Sequence, residues 1–159
     1  MIRDTVKIPL IAAGGIADGR GMMAAFALGA EAVQIGSRFV ATPESSAHEY
    51  FKKRVITSSE GDTVLTLKQI TPVRLLKNKF FKLVQEAEEK NASIDELKTI
   101  LGRGRAKKGM FEGDLEEGEL EIGQVAASIR LIKPAGAIVQ EIWTDFLQIK
   151  EQLRNTNYD

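Results

Sequence analysis

Two short glycine turns offer the clearest chemistry in this sequence. Gly14-Gly15 follows the apolar run Ile8-Pro9-Leu10-Ile11-Ala12-Ala13, and Gly36-Ser37 follows Ala32-Val33-Gln34-Ile35. Glycine lets backbone N–H groups approach a phosphate closely, and such turns can form an anion-binding nest. Ser37 adds a hydroxyl donor. Taken singly, either glycine pair reads equally well as a tight turn or a helix cap; two of them, spaced by one strand–helix unit, point to one shared anion site. Other chemistry is sparse. The single histidine, His48, sits in a helical segment without the partners of a general base, and reads as a surface or capping residue. There is no cysteine, so disulfides, thiolate metal sites and a cysteine nucleophile are excluded. The acidic segment 113–119 lacks the spacing of a calcium loop. No catalytic residue and no metal ligand is assigned.

These turns need elements to position them. Residues 8–13 form an apolar run of the kind buried on both faces of a parallel sheet. Asp18 and Gly19 supply loop and cap chemistry for a small-residue helix over 20–28, and Gly29 ends it as a left-handed cap. Residues 32–35 form the second strand. Two strands joined by one helix make a βαβ unit, which is right-handed and belongs to a parallel sheet. Both glycine turns then lie at the carboxyl ends of neighbouring strands. In a (β/α)₈ barrel that face holds the active site, and phosphate commonly binds between the loops after the last two strands. A whole barrel needs about 250 residues; this chain has 159. Residues before Ile8 read as the tail of a preceding helix, as if the chain starts inside an α/β repeat.

Beyond the second turn, Thr42 and Pro43 predict a helix to about Ile56, and residues 58–62 read as a linker. Residues 63–71 predict a strand ended by Pro72, and residues 74–90 a helix. Ser93-Ile94-Asp95-Glu96 is a capping box for a helix ending at Gly102. Arg103, Arg105, Lys107 and Lys108 form a basic run, read either as a solvated face or as a contact for an anionic cofactor or substrate. Residues 124–132 predict another helix. The last helix, from 134 to about 154, carries a stripe of Ile138, Ile142, Phe146, Ile149 and Leu153, widened by Val139, Trp143 and Leu147, which demands a partner surface.

The segments IAAGGIADGRG, AVQIGSRF, LLKNKF and GRGRAKKGMFEGDLEEGELEIGQVA, with a closing helix after Lys133-Pro134, resemble the nitronate monooxygenases, formerly called 2-nitropropane dioxygenases. The flavin-dependent type II enoyl-acyl-carrier-protein reductases belong to the same superfamily. The resemblance covers nearly all of this chain but only the second half of the family's usual length. It implies an α/β fold: the last two βα units of a (β/α)₈ TIM barrel over 1–60, a mostly helical cap over 61–133, and a long C-terminal helix and tail over 134–159. It implies an FMN-dependent oxidoreductase in which Gly15, Gln34, Ile35, Gly36 and Ser37 match positions that contact FMN. The small-molecule substrate would be a nitronate or an enoyl thioester, and an acidic acyl-carrier protein would suit the basic run. The family's catalytic base is a histidine from the first half of the barrel, which His48 does not match. The chain by itself is therefore expected to be inactive, and to pair with the missing N-terminal half-barrel or with itself. A non-catalytic module that keeps a phosphate nest is the alternative.

Composition excludes other classes. Lys+Arg number 22 against Asp+Glu 22, so bulk charge suggests neither a nucleic-acid nor an anionic-membrane partner. Residues 1–7 lack the apolar core of a signal peptide, and no apolar run approaches the roughly 20 residues of a membrane span. A cytoplasmic setting is expected.

Overall fold

The computed structural model describes residues 2–156. A helical turn, α1 (Ile2–Thr5), leads into β1 (Ile11–Ala13), α2 (Gly19–Ala27) and β2 (Ala32–Gln34). The strands pair in parallel, Ile11 beside Ala32 and Ala13 beside Gln34, so the expected βαβ unit forms. Asp18 caps α2 by accepting from the Gly21 N–H at 2.8 Å, and Gly29 leaves the helix with φ +95°. The two-stranded sheet is not buried on both faces: Ile11 is 60% exposed and Ile8 69%.

What covers α2 is the last helix, α7 (Ala135–Asn155). Phe26 meets Phe146 edge to face at 5.2 Å, and Trp143 stacks on Phe146 at 5.4 Å. The helices come so close at Gly19 that a Cβ there would stand 2.3 Å from the Phe146 nitrogen; any side chain would drive α7 away. Ile138, Ile142 and Phe146 are buried as the helical period predicts. Val139, Trp143, Leu147 and Leu153 are exposed, so the buried stripe is narrower than the sequence suggests.

Between these pieces lie α3 (Ser37–Val40), α4 (Glu49–Ile56), the antiparallel hairpin β3 (Thr63–Thr66) and β4 (Val73–Leu76), α5 (Lys79–Glu89) and α6 (Ile94–Leu101). A π-helical turn (Lys107–Phe111) and a 3₁₀ turn (Gln124–Ser128) precede α7. Two apolar clusters hold this part together. One joins Ala41, Phe51 and Val55 to Leu76, Leu120, Ile122 and Ile129, thereby crossing the 60/61 division. The other gathers Leu67, Leu75, Phe80, Phe81, Val84 and Leu97 under α5 and α6. The capping box of α6 is formed as expected, with Ser93 and Glu96 bonding reciprocally.

Four local expectations are corrected. The helix expected from Thr42 begins only at Glu49: the Thr42 hydroxyl donates to Phe39 O and accepts from Ser45 N–H, and Ser45 accepts from Ala47 N–H. These side chains give the backbone a turn instead of a helix. The strand expected over 63–71 stops at Thr66, because Leu67 takes a left-handed φ of +54°. Glu88 holds that conformation by accepting from Leu67 N–H at 2.9 Å and from the Thr66 hydroxyl. Val73–Leu76 is a strand rather than the start of a helix: four mostly apolar residues suit either period, and pairing with β3 decides it. The helix expected over 124–132 is a 3₁₀ turn, since Ile129 turns extended at ψ 116°.

Candidate cofactor site

The parallel register brings both glycine turns to one end of the sheet. Ala13 pairs with Gln34, so each chain leaves its strand at the same level. Gly14 and Gly15 follow with φ of +88° and +74°, a pair of left-handed residues that only glycine adopts without strain. Gly36 precedes α3 with φ −108°, and a Cβ built on it would meet nothing within 4 Å; the same is true of Gly14. The N–H groups of Gly15, Gly36 and Ser37 donate to no acceptor among the described residues.

The other matched residues divide by face. Val33 and Ile35 line an apolar hollow with Met22, Phe39, Ile142 and Trp143, on the side toward α7. Gln34, one residue out of phase and exposed, lies on the opposite face. Ile35 therefore leaves only its main chain to the loop end. The Ser37 Oγ accepts from the Gly123 N–H at 3.0 Å, which leaves its own hydrogen to donate elsewhere. That bond brings in a segment 86 residues away. Gln124 follows, its Nε2 4.0 Å from where a Gly15 Cβ would stand. The sequence reading starts a helix at Gln124 and gives Gly123 no role; both fall in the run that carries the family resemblance, but nothing local says which loop they meet.

Several charged side chains near the loops pair with one another, although the buried Arg38 Nη1 has no hydrogen-bond partner among the described residues. Arg38, buried after Ser37, reaches Glu141 of α7 at 3.5 Å, and Lys133 bonds the same carboxylate. The Lys133 hydrogen bond, with the charges of Lys133 and Arg38, holds Glu141 below the usual carboxylate range. His48 is accounted for by capping: its Nδ1 accepts from Tyr50 N–H at 3.2 Å, and its ring lies against Gly113. The basic run is not a free patch. Arg105 donates to the carbonyls of Ile100, Leu101 and Glu117 and lies 4.7 Å over the Phe80 ring. Lys107 pairs with Glu112 and Lys108 with Asp114, both at 3.0 Å. Among the described residues, no cluster of three or more His, Asp or Glu side chains is placed to hold a metal ion, and no helix is long and apolar enough to cross a membrane.

Glu119 stands apart, only 6% exposed on the strand-like segment that carries Gly123. Burial pushes its carboxyl up to about 7 from the ordinary 4.5, with repulsion from Glu121 adding and Arg105 opposing. Folding therefore favours the protonated acid. That contribution is complete below about pH 4.5 and is lost as pH rises through 7, because the unfolded chain ionises first. Glu119→Gln is expected to raise stability at pH 8 by on the order of 2 kcal/mol, and to leave it nearly unchanged at pH 4. Urea melts at the two pH values check this; equal shifts at both would overturn it.

Residues 1–145 match the nitronate monooxygenase family. A probable nitronate monooxygenase of Staphylococcus aureus (strain MSSA476) is 35% identical over 152 residues, which cover 94% of this chain and 42% of that protein. One of Staphylococcus saprophyticus is 39% identical over 111 residues, covering 67% of this chain and 31% of the relative. Among solved structures, FabK from Thermotoga maritima shares the fold with a TM-score of 0.89 and 45% identity, over 96% of this chain and 49% of that one. A nitroalkane oxidase from Streptomyces ansochromogenes gives 0.73 and 31%, over 96% of this chain and 43% of its own. The chain thus spans less than half the length of each of these proteins. With the family match running across the sheet, both glycine turns and most of α7, the chain belongs to the nitronate monooxygenase family.

Proposed function

We propose that this chain supplies the FMN phosphate-binding loops of a flavin-dependent oxidoreductase, as the C-terminal portion of a (β/α)₈ barrel with a helical cap. The observation that carries the reading is the parallel pair that sets Gly14-Gly15 and Gly36-Ser37 at one end of the sheet, with amides that donate to no acceptor among the described residues. The residues present fit the group. The N–H groups of Gly15, Gly36 and Ser37 would hold the phosphate, helped by the Ser37 hydroxyl; Gln34, on the face away from α7, would reach the ribityl chain; Ile35 would contribute its main chain. Gln124 would close the loop from the cap side. When bound, FMN supplies the two-electron chemistry; these residues bind and orient it. In this reading residues 1–60 are the barrel portion, 61–133 the cap and 134–159 the closing helix, in a cytoplasmic protein.

Oxidation of an alkyl nitronate with oxygen is the activity that the family match and the staphylococcal relatives support. Reduction of an enoyl thioester is the second reading, supported by the likeness to FabK. Taking the α-proton from a neutral nitroalkane would need a base, a role that His48, engaged in capping, does not fill; with that and only part of a flavin pocket, turnover by these 159 residues alone is not expected. The test of the cofactor site is a titration of the full-length apoprotein with FMN and with riboflavin. Charge-assisted hydrogen bonds contribute about 1.5–3 kcal/mol each, so FMN should bind at least about tenfold more tightly than riboflavin. Ser37→Ala should lose only about 0.5–1.5 kcal/mol of that difference. Equal affinities for the two flavins would sink the reading. In the full-length flavoprotein, oxygen uptake with a nitronate against NAD(P)H oxidation with a crotonyl thioester separates the two activities.

A further inference from the structure

Arg38 follows directly on Ser37, and only 8% of it is exposed. Its Nη2 lies 3.5 Å from Glu141 Oε1 on α7, and its Nη1 is buried with no hydrogen-bond partner among the described residues. A guanidinium costs stability there. A buried charge loses its hydration, an orphaned N–H regains none of it, and an apolar side chain of similar volume would pack with a smaller penalty. Charge balance does not require it either. Lys133 bonds the same Glu141 carboxylate and would neutralise it alone. What an arginine adds at this position is a fixed geometry.

That geometry joins α3 to α7 beside the second glycine loop. Glu141 Oε1 faces Arg38, while Oε2 accepts from Lys133 Nζ. The Lys133 N–H donates to Ala41 O at 3.3 Å, one residue beyond α3. Glu44 accepts from the N–H of Ala135, the first residue of α7, at 3.1 Å. Residues 38, 41 and 44 are thus each fastened to the segment 133–141. Of these ties, Arg38 makes the one that starts within α3, next to the Gly36 and Ser37 amides. Ser37 is held independently by the Gly123 N–H at 3.0 Å.

We infer that Arg38 is a positioning residue for the flavin phosphate: drawn onto Glu141, it fixes where the Gly36 and Ser37 amides point, without touching the flavin itself. The inference rests on the glycine loops holding FMN. Amides set in place beforehand lose less freedom when the phosphate arrives, so binding is tighter. A loop released from α7 would still admit the ring and the ribityl chain. The loss should therefore fall on the phosphate, and the readout is the preference for FMN over riboflavin.

The test is titration of the full-length apoprotein with both flavins, followed by fluorescence quenching. Arg38→Met, unbranched and uncharged, should cut the preference for FMN about tenfold, equivalent to one charge-assisted hydrogen bond, and leave riboflavin affinity unchanged. Glu141→Gln should cut it in the same direction. The sign matters: if Arg38 acted only by its charge on the phosphate, removing the negative charge of Glu141 would tighten FMN instead. Arg38→Met and Glu141→Gln together should bind FMN no more weakly than Arg38→Met alone, because both break one link. Arg38→Lys, which still reaches one carboxylate oxygen, should recover part of the preference. The inference is overturned if Arg38→Met keeps the wild-type preference, if Glu141→Gln tightens FMN or leaves it unchanged, if the two substitutions add, or if Arg38→Lys recovers nothing. It is also overturned if both flavins weaken alike, which a general loss of packing would produce. Riboflavin binding reports folding in each variant, and Glu141→Gln carries the test by itself if Arg38→Met does not fold. Equal wild-type affinities for the two flavins would strike the glycine-loop reading and this inference with it; a wild-type preference that survives both substitutions strikes this inference alone.

Discussion

Gly36→Val is expected to abolish the preference of this protein for FMN over riboflavin while leaving its fold in place. The two effects separate because of the local geometry. Gly36 has φ −108°, which any residue adopts, and a Cβ there touches no protein atom within 4 Å. Valine is a poor residue to open a helix, but α3 is only four residues long, so the loss in stability should stay near 1 kcal/mol. The branched side chain would instead fill the space in front of the Gly36 and Ser37 amides. Losing two charge-assisted hydrogen bonds corresponds to about 3 kcal/mol or more, roughly a hundredfold in affinity. Gly15 is a poorer probe, since its φ of +74° makes any substitution a strain on the backbone as well. The measurement is flavin fluorescence quenching, with thermal melts alongside. A Gly36→Val protein that binds FMN with unchanged affinity would remove these loops from the site.

The second expectation concerns association. As it stands, the chain should not persist as a well-ordered monomer across concentrations. Its parallel pair has an outer edge on each strand with no partner among the described residues, and such edges recruit other strands. Ile8 and Ile11 are exposed beside them. On the other side, the apolar hollow between β2, α3 and α7 remains open, with Trp143 47% and Val139 58% exposed. Burial gains about 25 cal/mol per Å², so covering a few hundred Å² here is worth several kcal/mol, comparable to the stability of a small domain. We propose the complementary half of a barrel as the natural cover, and a second copy when that half is absent. Sedimentation over a concentration series should show growth in mass, and amide exchange should be fast in residues 10–13 and 33–35. A monomer at all concentrations with slow exchange in those strands would contradict the expectation.

Much of the first forty residues was legible because local chemistry decides it. Asp18 caps α2, Gly29 ends it, and the glycine pairs end the strands; each acts over fewer than about five residues, so spacing alone exposes them. The capping box at Ser93 and the apolar period of α7 were legible for the same reason. The middle of the chain was not. Thr63 to Leu76 reads as strand then helix until Glu88, 21 residues further on, accepts from the Leu67 amide and stabilises a turn that no local signal announces. The Thr42 turn was missed because its hydroxyl bonds compete with a helix that Pro43 would otherwise suit.

For the candidate site the division follows the range of the interaction. The sequence by itself determined which residues can approach an anion: consecutive glycines tolerate left-handed backbone wherever they fall, and a parallel βαβ unit must deliver both turns to the same end. Only the tertiary structure decided what surrounds them. It brought Gly123 and Gln124 onto the Ser37 and Gly15 loops, turned Ile35 toward α7 and Gln34 away, and buried Glu119 where its carboxyl resists ionisation. It also paired Lys107 and Lys108 with neighbouring acids and tied Arg74 and Arg130 to the carbonyls of Thr63 and Ser58. Charge, burial and pairing depend on atoms brought together from distant parts of the chain, and residue order does not encode those distances until the core of Leu76, Leu120, Ile122 and Ile129 has closed.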